Sequence, residues 1–135
     1  MYKRQVIDNC KFLGNGKDSA SIASGGVVVS VGQEVLPLSR VVVQNCVSQG
    51  NDGDGFVVTD DPEISDVVLK KSEADSNSGI GFSVPGSTVL VASNLSYNNT
   101  GGNYDGVNVG NIVTGTTAAL PSDPLSLLNF DITQA

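Results

Sequence analysis

The sequence predicts an all-β protein in which about four coils of parallel strands stack on one another, followed by a short C-terminal cap. Two observations support this prediction. The composition favours strands and tight turns, with 20 Val, 16 Gly and 12 Asn among 135 residues and no Trp. The second observation is an internal repeat, which is the usual signature of a stacked architecture.

The clearest repeat aligns residues 41–58 with residues 67–84 at a constant offset of 26 and without a gap. Phe56 falls on Phe82 in this alignment, and the neighbouring glycines fall on glycines. The main competing fold is an antiparallel sandwich or barrel, which seldom repeats side chain for side chain. The repeat therefore favours stacked parallel coils.

An earlier copy of the repeat covers residues 6–29 and carries an insertion around residues 17–23. It places Cys10 in the same column as Cys46. Two cysteines do not define a redox compartment. We expect a small stack of thiols at this column rather than a disulfide or a metal site.

A later copy runs from residue 89 to residue 109, and its first strand places Val91 on Leu69 at an offset of 22. We expect about three extra residues near 101–103, so that residues 105–109 form its second strand. The copies therefore differ in the length of their loops.

Each copy begins with a Val-rich strand that cannot bury its apolar face alone and must stack on the next copy, about 4.8 Å away. Branched side chains suit such stacking. Asparagines recur at two columns, where side-chain amides can bond from one coil to the next. The two predicted amide ladders contain Asn9 and Asn45, and Asn15, Asn51, Asn77 and Asn99.

The aligned Val, Asn and Gly columns, seen for example in residues 43–46 and 51–56, resemble the right-handed parallel β-helix repeats of the pectate-lyase-like superfamily. The resemblance covers roughly residues 4–113 and implies a right-handed parallel β-helix, a solenoid. That superfamily includes lyases, hydrolases, epimerases, adhesins and inert spacers, so the resemblance is specific for architecture and not for activity.

Both ends of the sequence differ in texture from the repeats. Residues 1–5 resemble the translation of a sequencing adaptor, which predicts a non-native start and further coils upstream. Residues 114–135 are predicted to form a cap or linker, with a short helix beginning near Pro124. Phe130 and Ile132 are expected to lie in one more strand.

The charge balance excludes several classes of function. Seven basic residues against 14 acidic ones give a net charge of −7, which argues against a nucleic-acid partner. The chain has no histidine, so histidine-dependent chemistry is excluded. No apolar run is long enough to predict a membrane span.

Eight of the 14 acidic residues lie within residues 52–75. Asp52, Asp54, Asp60 and Asp61 are the candidate catalytic residues, since paired aspartates serve hydrolases of the polygalacturonase type as acid and base. The chain lacks the Gly-His-Gly and Arg-x-Lys segments of those enzymes. Asp52 and Asp54 also alternate as calcium ligands do, which makes calcium the one candidate cofactor. We favour a third interpretation, in which these residues form polar turns.

Tyr97 and Tyr104 flank the loop of the later copy, where a carbohydrate could stack on them. The alternative is that both rings anchor the loop. The sequence as a whole predicts a non-enzymatic solenoid segment of a larger surface or secreted protein, acting as a spacer, an adhesin-like module or a carbohydrate-binding face. The alternative function is the remnant of a polysaccharide lyase or glycoside hydrolase.

Overall fold

The computed structural model describes residues 4–15, 25–30, 37–85, 89–106, 112–115 and 129–132, and every regular element within them is a β-strand. The strands are β1 Gln5–Asp8, β2 Lys11–Leu13, β3 Gly25–Val29, β4 Leu38–Gln44, β5 Val47–Gln49, β6 Asp54–Val58, β7 Ile64–Lys70, β8 Glu73–Asp75, β9 Ile80–Ser83, β10 Val89–Ala92, β11 Leu95–Tyr97, β12 Gly102–Asp105, β13 Ile112–Gly115 and β14 Asn129–Ile132.

The strands form three parallel sheets, and the chain visits the three sheets in turn. Sheet A has the order β1-β4-β7-β10, sheet B the order β2-β5-β8-β11-β14-β13, and sheet C the order β3-β6-β9-β12. One strand in each sheet, taken in chain order, makes one coil, and β1 to β12 make four coils. This arrangement is compatible with a parallel β-helix-like solenoid and confirms the predicted stacking of parallel strands.

The strand register matches the central repeat found in the sequence. Val41 pairs with Val67 in sheet A, and Phe56 pairs with Phe82 in sheet C, both at the offset of 26. The first coil pairs with the second at an offset of 36 in sheets A and B but 29 in sheet C. The seven extra residues therefore lie between β2 and β3. This matches the insertion predicted at residues 17–23, which themselves lie outside the described residues.

The predicted insertion near residues 101–103 is wrong. The fourth coil pairs with the third at an offset of 22 in all three sheets, and Tyr104 pairs with Phe82. The ring of Tyr104 stacks on that of Phe82 with centroids 5.3 Å apart. A gapless alignment preserves this stack, whereas the alignment with three extra residues would place Val107 there. Residues 107–109 lie outside the described residues.

The core lies between the three sheets. At each inward position of a strand, the side chains of successive coils form one column. Val43 and Phe82 are fully buried, and Leu69 is nearly so. Phe56 and Phe82 stack with ring centroids 4.8 Å apart and planes within 7°, so that Phe56, Phe82 and Tyr104 form an aromatic column in sheet C. Branched and aromatic side chains recur at the same positions because each one packs on its counterpart in the neighbouring strand.

The chain turns sharply at two corners of every coil, and one residue with positive φ makes each turn. The corner between sheets A and B uses Asn9, Asn45, Lys71 and Ser93, and the corner between sheets B and C uses Gly14, Gly50, Ser76 and Asn98. Gly and Asn tolerate this left-handed conformation best.

The amide ladder predicted at Asn9 and Asn45 does not form. Both side chains are exposed, and the Asn45 amide donates to the carboxylate of Asp8 at 2.9 Å. The column continues with Lys71, which has no amide. Asparagine occupies this column because of its tolerance of positive φ and not because of its side-chain amide.

Sheet B continues beyond the fourth coil with two strands from the C-terminal region. Leu95 in β11 pairs with Phe130 in β14, so the strand predicted at Phe130 and Ile132 is present, and β13 pairs on the far side of β14. The predicted helix near Pro124 lies outside the described residues. Within the described ranges, no helix is long and apolar enough to cross a membrane.

Removing the central ring of the aromatic column should strongly destabilise the fold. Phe82→Ala leaves a cavity between two rings, and we expect the free energy of unfolding in urea to fall by about 3–5 kcal/mol. Tyr104→Phe keeps the ring and removes the hydroxyl, which donates to the carbonyl of Asn94, so it should cost about 1 kcal/mol. Equal losses in the two variants would contradict the role of the aromatic column.

Candidate functional site

The corner between sheets B and C contains a ladder of asparagine amides, of which those of Asn51 and Asn77 are buried. The Oδ1 atom of Asn77 accepts bonds from the backbone N–H and the side-chain amide of Asn51, at 3.1 and 2.8 Å. Asn99 accepts the same two bonds from Asn77, at 3.0 and 2.8 Å. The first coil joins through the N–H of Asn15, which donates to Asn51 Oδ1 at 2.8 Å. The predicted ladder of side-chain amides is therefore confirmed at Asn51, Asn77 and Asn99, whereas Asn15 joins it only through its backbone N–H.

The Nδ2 groups of this ladder also bind the sheet B strands that they flank. Asn51 Nδ2 donates to the hydroxyl of Ser48 at 2.8 Å, and Asn77 Nδ2 donates to the Ser48 carbonyl at 3.1 Å. The Ser48 hydroxyl in turn donates to the carbonyl of Gly55 at 2.8 Å. Neighbouring glycines allow this close approach of sheets B and C, since a Cβ at Gly81 would overlap the hydroxyl of Ser96.

The corner between sheets A and B has its own polar column, formed by Cys10, Cys46, Ser72 and Asn94. The N–H of Cys46 donates to Ser72 Oγ at 3.2 Å, and the N–H of Ser72 donates to Asn94 Oδ1 at 2.9 Å. Both cysteines are free thiols, as the sequence predicted. Burial raises the pKa of the Cys46 thiol, which therefore stays protonated.

The four candidate catalytic aspartates occupy two different corners. Asp52 and Asp54 lie where the chain enters β6, and Asp60 and Asp61 lie in the loop after β6. Asp54 is the first residue of β6, and the four steps from Asp54 to Val58 separate the two pairs by about 13 Å at the usual rise per residue. The structure therefore does not bring all four carboxylates into one cluster.

Two of these aspartates bind backbone N–H groups. Asp54 Oδ1 accepts the N–H of Ile80 in the next coil at 2.7 Å, and Asp61 Oδ1 accepts the N–H of Glu63 at 2.9 Å. Asp52 and Asp60 are exposed. Within the described residues, no three Cys, Asp or Glu side chains are grouped so as to hold a metal ion. Calcium binding at Asp52 and Asp54 stays a prediction.

Tyr97 lies on the outer face of sheet B beside two carboxylates. Its hydroxyl donates to Glu73 Oε1. Partial burial is the main reason why the pKa of Tyr97 lies well above its usual range, and the hydrogen bond to Glu73 raises it further. Asp75, in the neighbouring register position, accepts bonds from Gln49 Nε2 at 2.7 Å and Ser76 Oγ at 2.6 Å.

Tyr104 occupies a different environment from Tyr97. Its ring packs on the core beside Phe82, and its hydroxyl donates to the carbonyl of Asn94 at 3.0 Å. Tyr97 instead lies in the outward column of Asp75. The two rings do not form one platform, and a carbohydrate site on either ring stays a prediction.

Two polar networks were not predicted from the sequence. One joins Glu73 and Tyr97; the other joins Asp8 with Gln44 and Asn45, whose amides lower the pKa of Asp8. Each crosses from one coil to the next. The register could have placed Asp8 beside Gln44, since the offset of 36 pairs them, but it pairs Glu73 with Leu95 and not with Tyr97.

No protein-family model, curated protein or solved structure matches this chain.

The central asparagine of the ladder should be essential to stability. Asn77→Ala leaves the buried N–H of Asn51 without an acceptor, and we expect the free energy of unfolding to fall by about 3 kcal/mol. Asn98→Gly is the matched control, because it keeps the left-handed turn and removes an exposed side chain whose amide makes a long 3.3 Å bond to Asp75. It should change stability by less than about 1 kcal/mol. A loss in the control as large as in Asn77→Ala would refute a special role for the ladder.

Tyr97 should ionise at a higher pH in the folded chain than in the unfolded chain, whose tyrosines titrate near pH 10. A raised folded pKa means that stability present below pH 10 is lost as the pH rises further. Tyr97→Phe should therefore weaken the fall in unfolding free energy above pH 10. In an ultraviolet titration, the folded Tyr97→Phe variant should show one phenolate fewer than the original protein in the phase at the highest pH. Loss of a phenolate that ionises near pH 10 would contradict the raised pKa.

Proposed function

We propose that this chain is a non-enzymatic scaffold segment, a right-handed parallel β-helix of the pectate-lyase-like class within a larger surface or secreted protein. The observation that carries the proposal is the use of its buried and half-buried polar side chains. The amides of Asn51, Asn77 and Asn99 bond one coil to the next, and the carboxylate of Asp54 does the same. These contacts hold successive coils together, which is what a structural scaffold requires.

The arrangement of the acids also favours a scaffold over an enzyme. A hydrolytic pair of carboxylates lies about 5–10 Å apart across a scissile bond. The strand β6 holds Asp52 and Asp54 farther than this from Asp60 and Asp61. In each pair one carboxylate, that of Asp54 or of Asp61, already accepts a backbone hydrogen bond. A general acid needs instead a carboxyl that is free to exchange its proton with substrate.

Incubation of the purified protein with acidic polysaccharides, with and without calcium, tests this proposal. We expect no cleavage and no effect of calcium on thermal stability. The double variant Asp52→Asn/Asp54→Asn should behave as the unmodified chain in this assay. Cleavage that requires these aspartates, or Asp60 and Asp61, would overturn the scaffold proposal in favour of a lyase or hydrolase remnant. Neutral polysaccharides in the same panel test whether the chain binds carbohydrate. Tyr97→Ala is the control for this test, because it removes the ring on which a sugar is predicted to stack.

A further inference from the structure

The two ends of the stack differ in how well they cover the core. Ile7 and Phe12, which point inward in the first coil, are only partly buried. The residues above them in the second coil, Val43 and Ser48, are fully buried. In the fourth coil the inward Val91 remains buried, at 5% exposure. The first coil therefore leaves the core partly open over sheets A and B, whereas its inward residues in sheet C, Val27 and Val29, are buried.

The same end has free hydrogen-bonding edges. Among the described strands, β1 pairs only with β4, β2 only with β5, and β3 only with β6. The outer edge of each first-coil strand therefore carries backbone N–H and C=O groups without a strand partner. Such an edge is a template for another strand.

The asparagine ladder is also incomplete at this end. Asn51, Asn77 and Asn99 each accept the backbone N–H of the preceding coil through Oδ1. The side chain of Asn15, which begins the ladder, is exposed and accepts no bond from the described residues. Asn15 occupies the ladder position at which the other three asparagines each accept a backbone N–H, so its side chain can accept one from a further coil.

We propose that this end, which we call the first-coil end, is a docking surface for one further parallel coil of the same architecture. The first-coil end consists of Ile7, Cys10, Phe12, Asn15 and the outer edges of β1, β2 and β3. The docked coil supplies three parallel strands, apolar side chains over Ile7 and Phe12, and a backbone N–H to Asn15. This inference rests on the proposed scaffold function and specifies how the scaffold is extended.

Continuity with the existing interfaces identifies the occupant as a coil. The same parallel pairing joins the first coil to the second, the second to the third, and the third to the fourth in every sheet. A second copy of this chain is a poorer occupant. Its opposite end is not level, since sheet B runs on through β14 and β13 past the described strands of sheets A and C.

The inference is tested by adding a coil. A copy of residues 41–66 placed directly before Gln5 sets the copied Val41 on Gln5 at the offset of 26 that joins Val41 to Val67. We expect hydrogen exchange of β1 and β2 amides to slow by about tenfold or more, because their outer edges become paired. The amides of β7 and β8, which are already paired on both edges, serve as the internal reference.

The matched control carries Val43→Asp and Phe56→Asp in the added copy only. It has the same length but cannot pack over the first-coil end, so β1 and β2 should exchange as in the unextended chain. Equal exchange in the control and the intact extension would overturn the inference. Concentration-dependent dimerisation of the unextended chain that protects β1 and β2 would overturn it in favour of a second copy. Polysaccharide cleavage by the unextended chain would refute the scaffold function alone, because it leaves the exchange result unchanged.

Discussion

The chain turns sharply at two corners of each coil, and beside the corners of the second and third coils buried backbone N–H groups need acceptors inside the stack. An unsatisfied buried N–H costs about 1–3 kcal/mol, which is a large part of the stability of a small domain. The structure supplies the acceptors from the next coil, through Asn77 and Asn99 at one corner and through Ser72 and Asn94 at the other. The parallel sheets and the aromatic column depend on this, since they form only when the corners hold the coils in register.

The same constraint explains why polar residues are frequent in a chain that shows no clustered active site in its described part. Asn94 and Ser96 are fully buried, yet each has hydrogen-bond partners. No buried side-chain nitrogen or oxygen lacks a partner among the described residues. Polar groups with fully satisfied bonds fix one register, because a slip by one residue would break every bond in the column.

Much of this architecture was predictable because stacking forces like residues into the same column. The 26-residue repeat predicted the register of Val41 on Val67, and the asparagines at 51, 77 and 99 predicted their ladder. The position of Tyr104 was not predicted, because a tyrosine replaced phenylalanine in the column and obscured the alignment. The contact of Tyr97 with Glu73 depends on side-chain direction across two strands, which a one-dimensional repeat does not encode. The candidate site was predictable only as a set of acids, since their separation depends on the path of β6.

The extra length of the first coil has a consequence for how such a chain can acquire new properties. Seven residues enter between β2 and β3, while Asn15 on one side and Gly25 on the other keep their places against the second coil. The energetic penalty for lengthening a surface loop grows only slowly with its length. The stack therefore keeps its register on both sides of a segment whose length can change, so the sequence can evolve at this point of the chain without altering the neighbouring strands.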